Sequence, residues 1–499
     1  MSSVLPEIFA SLLDPINIAL LITGVAGGIL VGALPGLTAT MALALMLPFT
    51  YSMEADAALI MLGGIYIGAI YGGSIVAILL NTPGTPSSIA TTFDGYPLAQ
   101  TGKAEHALVA AAVSSGIGGV LGGCALLLLS PLLANLALKF GPPEYFWIAV
   151  LGLTIIATIS TGSIIKGLIG GCLGLLLSTI GIAPVGGESR FTFGFPPLLG
   201  GLQLIVIMIG MFCIPEVLNM IERKGQTGKQ VSYNPQKGVA LTVIKQLFQK
   251  PILYLRSAVI GIMVGIIPGA GGNVASLLSY DMTVRFSKQK SSFGKGNIEG
   301  VAASEAGNNA EVGGSLVPLL SLGIPGAAPA AVLLGALMMQ GIQPGPDLYA
   351  TSPGLVYTFC WAFIVANLVM FLFGFFGSKY VAQIVTLSTH YLAPLIVFLS
   401  VIGSYAIRNH FFDISMMIAF GIAAYILKKV GFEPGPIVLG LILGPIAETG
   451  LAQTMLMAQA QGSVWTIFFS RPLSMVLMVF CLLSLLWPLL SHRFTRSPK

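Results

Sequence analysis

Two stretches of this chain interrupt apolar segments with glycines, prolines and hydroxyls in the same order. The first runs Tyr71-Gly72-Gly73-Ser74, an apolar run, then Leu80-Asn81-Thr82-Pro83-Gly84-Thr85-Pro86-Ser87-Ser88. The second runs Gly313-Gly314-Ser315, an apolar run, then Leu322-Gly323-Ile324-Pro325-Gly326-Ala327-Ala328-Pro329. Their surroundings are those of a chain in lipid: 55% of the 499 residues are hydrophobic, 8% are charged and mean hydropathy is +0.92. A soluble chain carries charge at about a quarter of its positions. Lipid offers no hydrogen bonds, so irregular backbone persists there only where protein or a water-filled cavity satisfies its N–H and C=O groups. Such a break therefore lines a site. The fold class is an all-α polytopic membrane protein, since alternating strands of about ten residues, the mark of a barrel, are not visible.

Apolar segments fall near 16–34, 37–50, 57–80, 107–137, 145–182, 198–218, 257–280, 302–322, 327–342, 354–376, 384–407, 413–427, 435–455 and 472–490. Several are shorter than the ~20 residues of a full crossing and 145–182 has room for two, so the expectation is about 12 helices plus re-entrant half-helices. Between 219 and 256 the chain turns polar. Arg223, Lys224, Lys229, Lys237, Lys245, Lys250 and Arg256 stand there against Glu222 alone, which makes the linker cytoplasmic by the positive-inside bias. The expected division is a first membrane repeat at 1–218, the basic linker at 219–256, a second repeat at 257–457, and a C-terminal helix with a basic tail at 458–499.

The two repeats correspond at three places in the same order. Val31-Gly32-Ala33-Leu34-Pro35-Gly36 matches Val264-Gly265-Ile266-Ile267-Pro268-Gly269 at an offset of 233. Gly72-Gly73-Ser74 matches Gly313-Gly314-Ser315 at 241, and Pro83-Gly84 matches Pro325-Gly326 at 242. The loop at 49–57 carries Glu54 and Asp56, whereas its counterpart carries Arg285, Lys288, Lys290 and Lys295. Opposite loop charge places the copies on opposite sides of the membrane, as inverted-topology repeats; accidental variation of short loops is the alternative. Secondary transporters built this way hold their site at the midplane, where the copies meet.

Each break is followed by a helix start. Thr38 and Asn273 are placed to cap after Pro35-Gly36 and Pro268-Gly269, Thr85 to cap with Pro86 at the first helical position, and Pro329 to take that position after Pro325-Gly326. Helix N-termini bind anions through unpaired N–H groups and the positive dipole end. No Lys or Arg lies within eight residues of 81–88 or 322–329. A carboxylate bound there needs a cation to balance it. Unwound carbonyls near Gly36, Asn81, Gly269 and Gly323 suit Na⁺, with side-chain oxygens from Asn81, Thr82, Asn273, Asn308 and Asn309. Protons are the alternative, and Glu305 and Glu311 are then the carriers, since ionisable groups inside membranes are functional by default. A helix start near the cytoplasmic surface is the competing account of Glu305. The expected substrate site is Pro35, Gly36, Thr38, Asn81, Thr82, Pro83, Gly84, Thr85, Pro268, Gly269, Pro325 and Gly326, with side-chain recognition falling on Asn81 and Thr82.

Other chemistries find little support. The five cysteines and four histidines are dispersed without metal-ligand spacing, and no glycine loop is followed by Gly-Lys-Ser/Thr. The acidic N-terminus, with Glu7 and Asp14, is unlike a cleavable signal peptide. Glu448 and Lys166 are expected to snorkel or form structural pairs, and Arg408, His410 and Asp413 to form a loop.

Gly32-Ala33-Leu34-Pro35-Gly36-Leu37-Thr38, Ile65 to Ser74, Asn81-Thr82-Pro83-Gly84-Thr85-Pro86 and Phe93-Asp94-Gly95-Tyr96-Pro97 resemble the large membrane subunit of the tripartite tricarboxylate transporters. Phe293 to Ala302, with Glu305, Asn308-Asn309 and Leu322-Gly323-Ile324-Pro325-Gly326, resemble its second-half signatures. The resemblance covers roughly 15–460. It implies a bacterial inner-membrane permease that works with a small multi-span membrane subunit and a periplasmic solute-binding protein. It also implies uptake of citrate or another carboxylate on an ion gradient, commonly Na⁺. No paired membrane aspartates or Ser/His pair point to an enzyme, no other cofactor is expected, and the net charge of +5 reflects loop bias and gives no reason for a nucleic-acid partner. A stand-alone carboxylate carrier and a channel-like pore are the alternatives.

Overall fold

The computed structural model describes residues 5–159, 163–222, 238–384, 389–461 and 463–494. Arg223, Lys224, Lys229 and Lys237 of the basic linker, and the tail from 495, lie outside the described residues.

The described chain is helical almost throughout. Its helices begin with α1 (Leu5–Leu13), α2 (Pro15–Gly32), α3 (Ala39–Met46), α4 (Ala55–Leu80), α5 (Ile89–Leu98) and α6 (Ala104–Ala137). Next come α7 (Pro142–Ile159), α8 (Ile164–Ser178), α9 (Leu204–Glu222), α10 (Val239–Phe248), α11 (Pro251–Ile266) and α12 (Gly271–Phe286). They continue with α13 (Ile298–Leu322), α14 (Ala328–Met339), α15 (Leu348–Thr351), α16 (Pro353–Ile384) and α17 (Thr389–Arg408). The last are α18 (Phe411–Lys429), α19 (Pro434–Gln461), α20 (Val464–Ser470) and α21 (Pro472–Phe494). Among the described residues the one sheet is a pair of two-residue strands, Gly181–Ile182 and Ser189–Arg190.

Among the described residues seven helices are long and apolar enough to cross a membrane, or up to nine if each of two bent pairs is one span. The chain is thus the all-α polytopic membrane protein expected. Four apolar segments fold as helices too short to count, at Ala39–Thr50, Ile164–Ser178, Ala328–Met339 and Leu392–Arg408. Helix α13 is long enough but carries Glu305, Asn308, Asn309 and Glu311, and it is not among the seven. The segment 145–182 does hold two helices, α7 and α8.

The chain forms two compact units, one from 1–134 with 216–407 and the other from 135–215 with 408–499. In the first, α2 packs along α4 and α11 along α13. Helix α4 is apolar around its whole circumference and is accordingly buried along nearly its full length. The two tips repeat one contact. Gly84 N–H donates to Gly73 O at 3.3 Å, and Gly326 N–H donates to Ser315 O at 3.2 Å. A β-carbon on Gly84 would lie 2.8 Å from Gly32 O, and one on Gly326 would lie 2.2 Å from Gly265 O. Gly84 maps onto Gly326 and Gly32 onto Gly265 by the sequence offsets, while the second acceptor, Ser315, is one residue past Gly314, the sequence counterpart of Gly73. Contacts between the copies are also reciprocal: α3 touches α14, while α12 touches α5 and the 3-10 turn Pro86–Ser88 before it.

The second unit packs α19 against α7 and α8, and α21 against α7. Buried Glu144 pairs with Arg471 at 2.7 Å and accepts from Gly141 N–H. Glu448 pairs with Arg190 at 2.7 Å, and Lys166 donates to Val430 O, so both are structural contacts. Arg408 ends α17, His410 caps α18, and Asp413 in its first turn pairs with Arg408, so this segment is a helix junction rather than an open loop.

Candidate functional site

The candidate site is built on α13. Its 25 residues, Ile298–Leu322, are flanked by Asn297, whose side chain accepts from Glu299 N–H, and by Gly323 in the left-handed conformation. Residues three and four apart share a helix face, so Ser304, Asn308, Glu311 and Ser315 line one side and Glu305 and Asn309 lie beside them. All six are buried. Ser304 Oγ is 3.0 Å from Thr91 Oγ1, and Ser315 Oγ is 3.4 Å from Tyr66 Oη. Both partners come from the N-terminal part of the chain, Tyr66 on α4 and Thr91 on α5.

Glu305 is fully engaged. Thr91 Oγ1 donates to one carboxylate oxygen, and Ser115 Oγ (3.0 Å) and Asn309 Nδ2 (3.4 Å) donate to the other. Asn309 Nδ2 also reaches Ser115 Oγ at 2.9 Å. Glu305 is buried two turns into α13, which starts at Ile298. Valine at Thr91 keeps the shape and removes one donor, and leaving a buried group unsatisfied costs about 1–3 kcal/mol. The expected result for Thr91→Val is a destabilisation of that size, read from thermal unfolding of the purified protein in detergent.

Glu311 and Asn308 meet the first turn of α12. A β-carbon on Gly272 would lie 2.5 Å from Asn308 Oδ1, 2.8 Å from Ser87 Cβ and 3.3 Å from Glu311 Oε2. Among the described residues Glu311 Oε1, both polar atoms of the Asn308 side chain and Asn309 Oδ1 have no hydrogen-bond partner.

The other sequence-predicted residues fall as follows. Thr38 caps α3 by accepting from Met41 N–H, and Thr85 precedes Pro86 at the start of the 3-10 turn. Asn273 does not cap, because α12 starts two residues earlier, behind Ala270. Pro325 and Gly326 are buried, and Gly269 N–H donates to Gly326 O at 2.7 Å, so the two tips of the second repeat touch. Pro35, Gly36 and Pro268 are half-buried, and the nearest groups to a side chain at Gly36 would be Met220 and Glu216. Asn81 ends α4 at φ 54° and, with Thr82, is exposed. These two do not join the buried cluster. The helices after the tips touch two by two, α3 with α14 and α12 with the Pro86–Ser88 turn.

Asp94, inside the Phe93 to Pro97 motif, is fully buried on α5 and holds three donors. Tyr280 Oη donates at 2.9 Å, Gly296 N–H at 2.9 Å and Asn297 N–H at 2.7 Å. It thus fastens the start of α13 to α5. A carboxylate between Phe93 and Gly95 in a weakly polar run was the available signal.

Broken helices paired across two similar halves, with a buried polar cluster between them, define a polytopic α-helical membrane protein organised around an internal site. A profile of the "Tripartite tricarboxylate transporter TctA family" matches residues 18–439, and the chain belongs to that family. An Agrobacterium vitis protein described as an "uncharacterized 52.8 kDa protein in TAR-I ttuC' 3'region" is 37% identical over 469 residues, 93% of this chain and 92% of the relative. A second, described as an "uncharacterized protein in TAR-II ttuC' 3'region" of Agrobacterium vitis, is 36% identical over 214 residues, 43% of this chain and 87% of the relative. No solved structure matches the chain. Membership supports a tricarboxylate-transport role for a multi-pass membrane protein.

Proposed function

We propose that the chain is the permease of a secondary active carboxylate transporter in a bacterial inner membrane, driven by an ion gradient, with Na⁺ as the coupling ion. A periplasmic solute-binding protein delivers the substrate, and a small multi-span subunit completes the assembly. The repeats, at 1–218 and 257–457, are inverted in the membrane, and one repeat-derived unit moves against the rest for alternating access. The observation that carries this reading is the pair of Pro-Gly tips held by the same backbone contact in each half, beside a buried polar cluster. Opposite loop charges at 49–57 and 285–295 support inversion. The substrate carboxylates are held at the helix starts after the tips, where N–H groups supply the positive charge that Lys and Arg do not.

Proteoliposomes containing the permease and its purified partners test this. Uptake of labelled citrate is expected when an inward Na⁺ gradient is imposed and a binding protein is present. Uptake on a proton gradient alone overturns sodium coupling, and flux without binding protein or gradient identifies a pore. Cysteine labelling from outside, at 49–57 and at 285–296, is expected to reach one loop only; equal labelling overturns inversion.

A further inference from the structure

The two buried glutamates of α13 are treated in opposite ways by the fold. Glu305 has donors on both oxygens, whereas Glu311, six residues on, leaves Oε1 without a partner among the described residues. Asn308, one turn before Glu311, leaves both its oxygen and its nitrogen so. Exposure of these side chains is 1% and 0%. Native interiors leave few buried polar atoms unpaired, and each such atom calls for an explanation.

The two groups cover the first turn of α12. Asn308 Oδ1 and Glu311 Oε2 would stand 2.5 and 3.3 Å from a β-carbon on Gly272, and Ser87 Cβ 2.8 Å from it. A glycine is what permits that approach. The first N–H groups of α12 lack intrahelical acceptors, and the dipole there is positive. Facing the Glu311 side chain are Tyr66 of α4, Gly272 of α12 and, beside it, Ser87, while Gly261 and Gly265 of α11 pack on its backbone. Tyr66 is the titratable group among them, and no basic side chain is paired with Glu311 among the described residues.

An ionised Glu311 is therefore the anion that this helix end already favours. A substrate carboxylate brought to the same turn meets like charge in a buried place. A cation held by Glu311 Oε1 and Asn308 Oδ1 removes that repulsion, and Asn308 Nδ2 then donates to the substrate beside the N–H groups of α12. We propose that Glu311 and Asn308 form a monovalent-cation site, for Na⁺ or a proton, whose filling admits a substrate carboxylate to the N-terminus of α12. This rests on the permease reading above and assigns its coupling to two side chains. By linkage, cation and substrate raise each other's affinity by one factor, on the order of 5–150-fold for typical couplings.

The test is labelled-citrate uptake in proteoliposomes with the partner proteins. One arm varies Na⁺ at fixed pH with choline as replacement, and the other varies pH without Na⁺. The wild type is expected to respond in one arm, and that arm names the cation. Glu311→Gln is expected to bind citrate with an affinity that no longer changes with that cation. A folded Glu311→Gln protein that keeps the wild-type cation dependence, or that binds no citrate at any cation concentration, overturns the proposal and leaves the permease reading standing. A wild type that takes up no carboxylate in either arm overturns both. Where Glu311→Gln fails to fold, Glu311→Asp decides. Its shorter carboxylate is expected to raise half-saturation by the cation about tenfold or more, the effect of losing roughly 1.4 kcal/mol of binding. An unchanged half-saturation overturns the proposal.

Discussion

Alanine at Asp94 is expected to destabilise the protein by roughly 2–6 kcal/mol, because two backbone N–H groups lose their acceptor and each costs about 1–3 kcal/mol when buried and unpaired. Both of those groups, Gly296 N–H and Asn297 N–H, donate to the same oxygen, Asp94 Oδ1, while Tyr280 Oη donates to Oδ2. That division makes a sharper test available. In Asp94→Asn the amide oxygen still receives both backbone donors, and the amide nitrogen can donate to Tyr280 Oη. Asparagine is therefore expected to recover most of the loss and alanine none of it. Thermal unfolding in detergent reads the magnitude, and hydrogen exchange at Gly296 and Asn297 reads the place. Equal losses in the two variants would mean that the charge of Asp94, rather than its geometry, holds the start of α13.

The same residue shows where sequence reasoning stops. A break in an apolar run is a local event, so the tips at 81–85 and 323–327, the cap at Thr38 and the start at Thr85-Pro86 could be read from neighbouring residues. The partners of a buried carboxylate are not local. Thr91 and Ser115 lie 214 and 190 positions from Glu305, and Tyr280 lies 186 from Asp94. Direction is equally hidden. Asn81 and Thr82 have the chemistry of a binding tip, but the left-handed turn that ends α4 leaves both side chains exposed, while Ser87, a few residues on, lies under Gly272. Asn273 has the chemistry of a cap, but Ala270 is already in the helical conformation and the helix begins ahead of it. The polarity of α13 was legible, and so were Glu305, Asn308, Asn309 and Glu311 as candidates. Which of the two glutamates the fold leaves without donors was not.

The equivalence of the two tips leads to the second large effect. Alanine at Gly326 puts a methyl group 2.2 Å from Gly265 O and 2.6 Å from Ser315 Cα, and both are backbone atoms of packed helices that cannot move aside singly. Alanine at Gly84 meets Gly73 Cα at 2.7 Å and Gly32 O at 2.8 Å. Overpacking of this kind costs about 1–3 kcal/mol, and here it acts on the segments that set the starts of α14 and of the turn before α5. Gly326→Ala also disturbs the hydrogen bonds from Gly326 N–H to Ser315 O and from Gly269 N–H to Gly326 O, so the second repeat loses the contact between its own two tips. Gly84→Ala disturbs one such bond, to Gly73 O. Both variants are expected to lower citrate uptake at least about tenfold, the result of some 1.4 kcal/mol added to the transport barrier, with Gly326→Ala the more severe. Gly435→Ala is the control, since nothing lies within 4 Å of a methyl group there, and it is expected to behave as wild type. Uptake by reconstituted protein of matched folded fraction separates transport from yield. Wild-type uptake in Gly326→Ala would show that the tip need not press on α11 for transport. A large loss in one tip variant with none in the other would show that the halves share a shape and divide the work unequally.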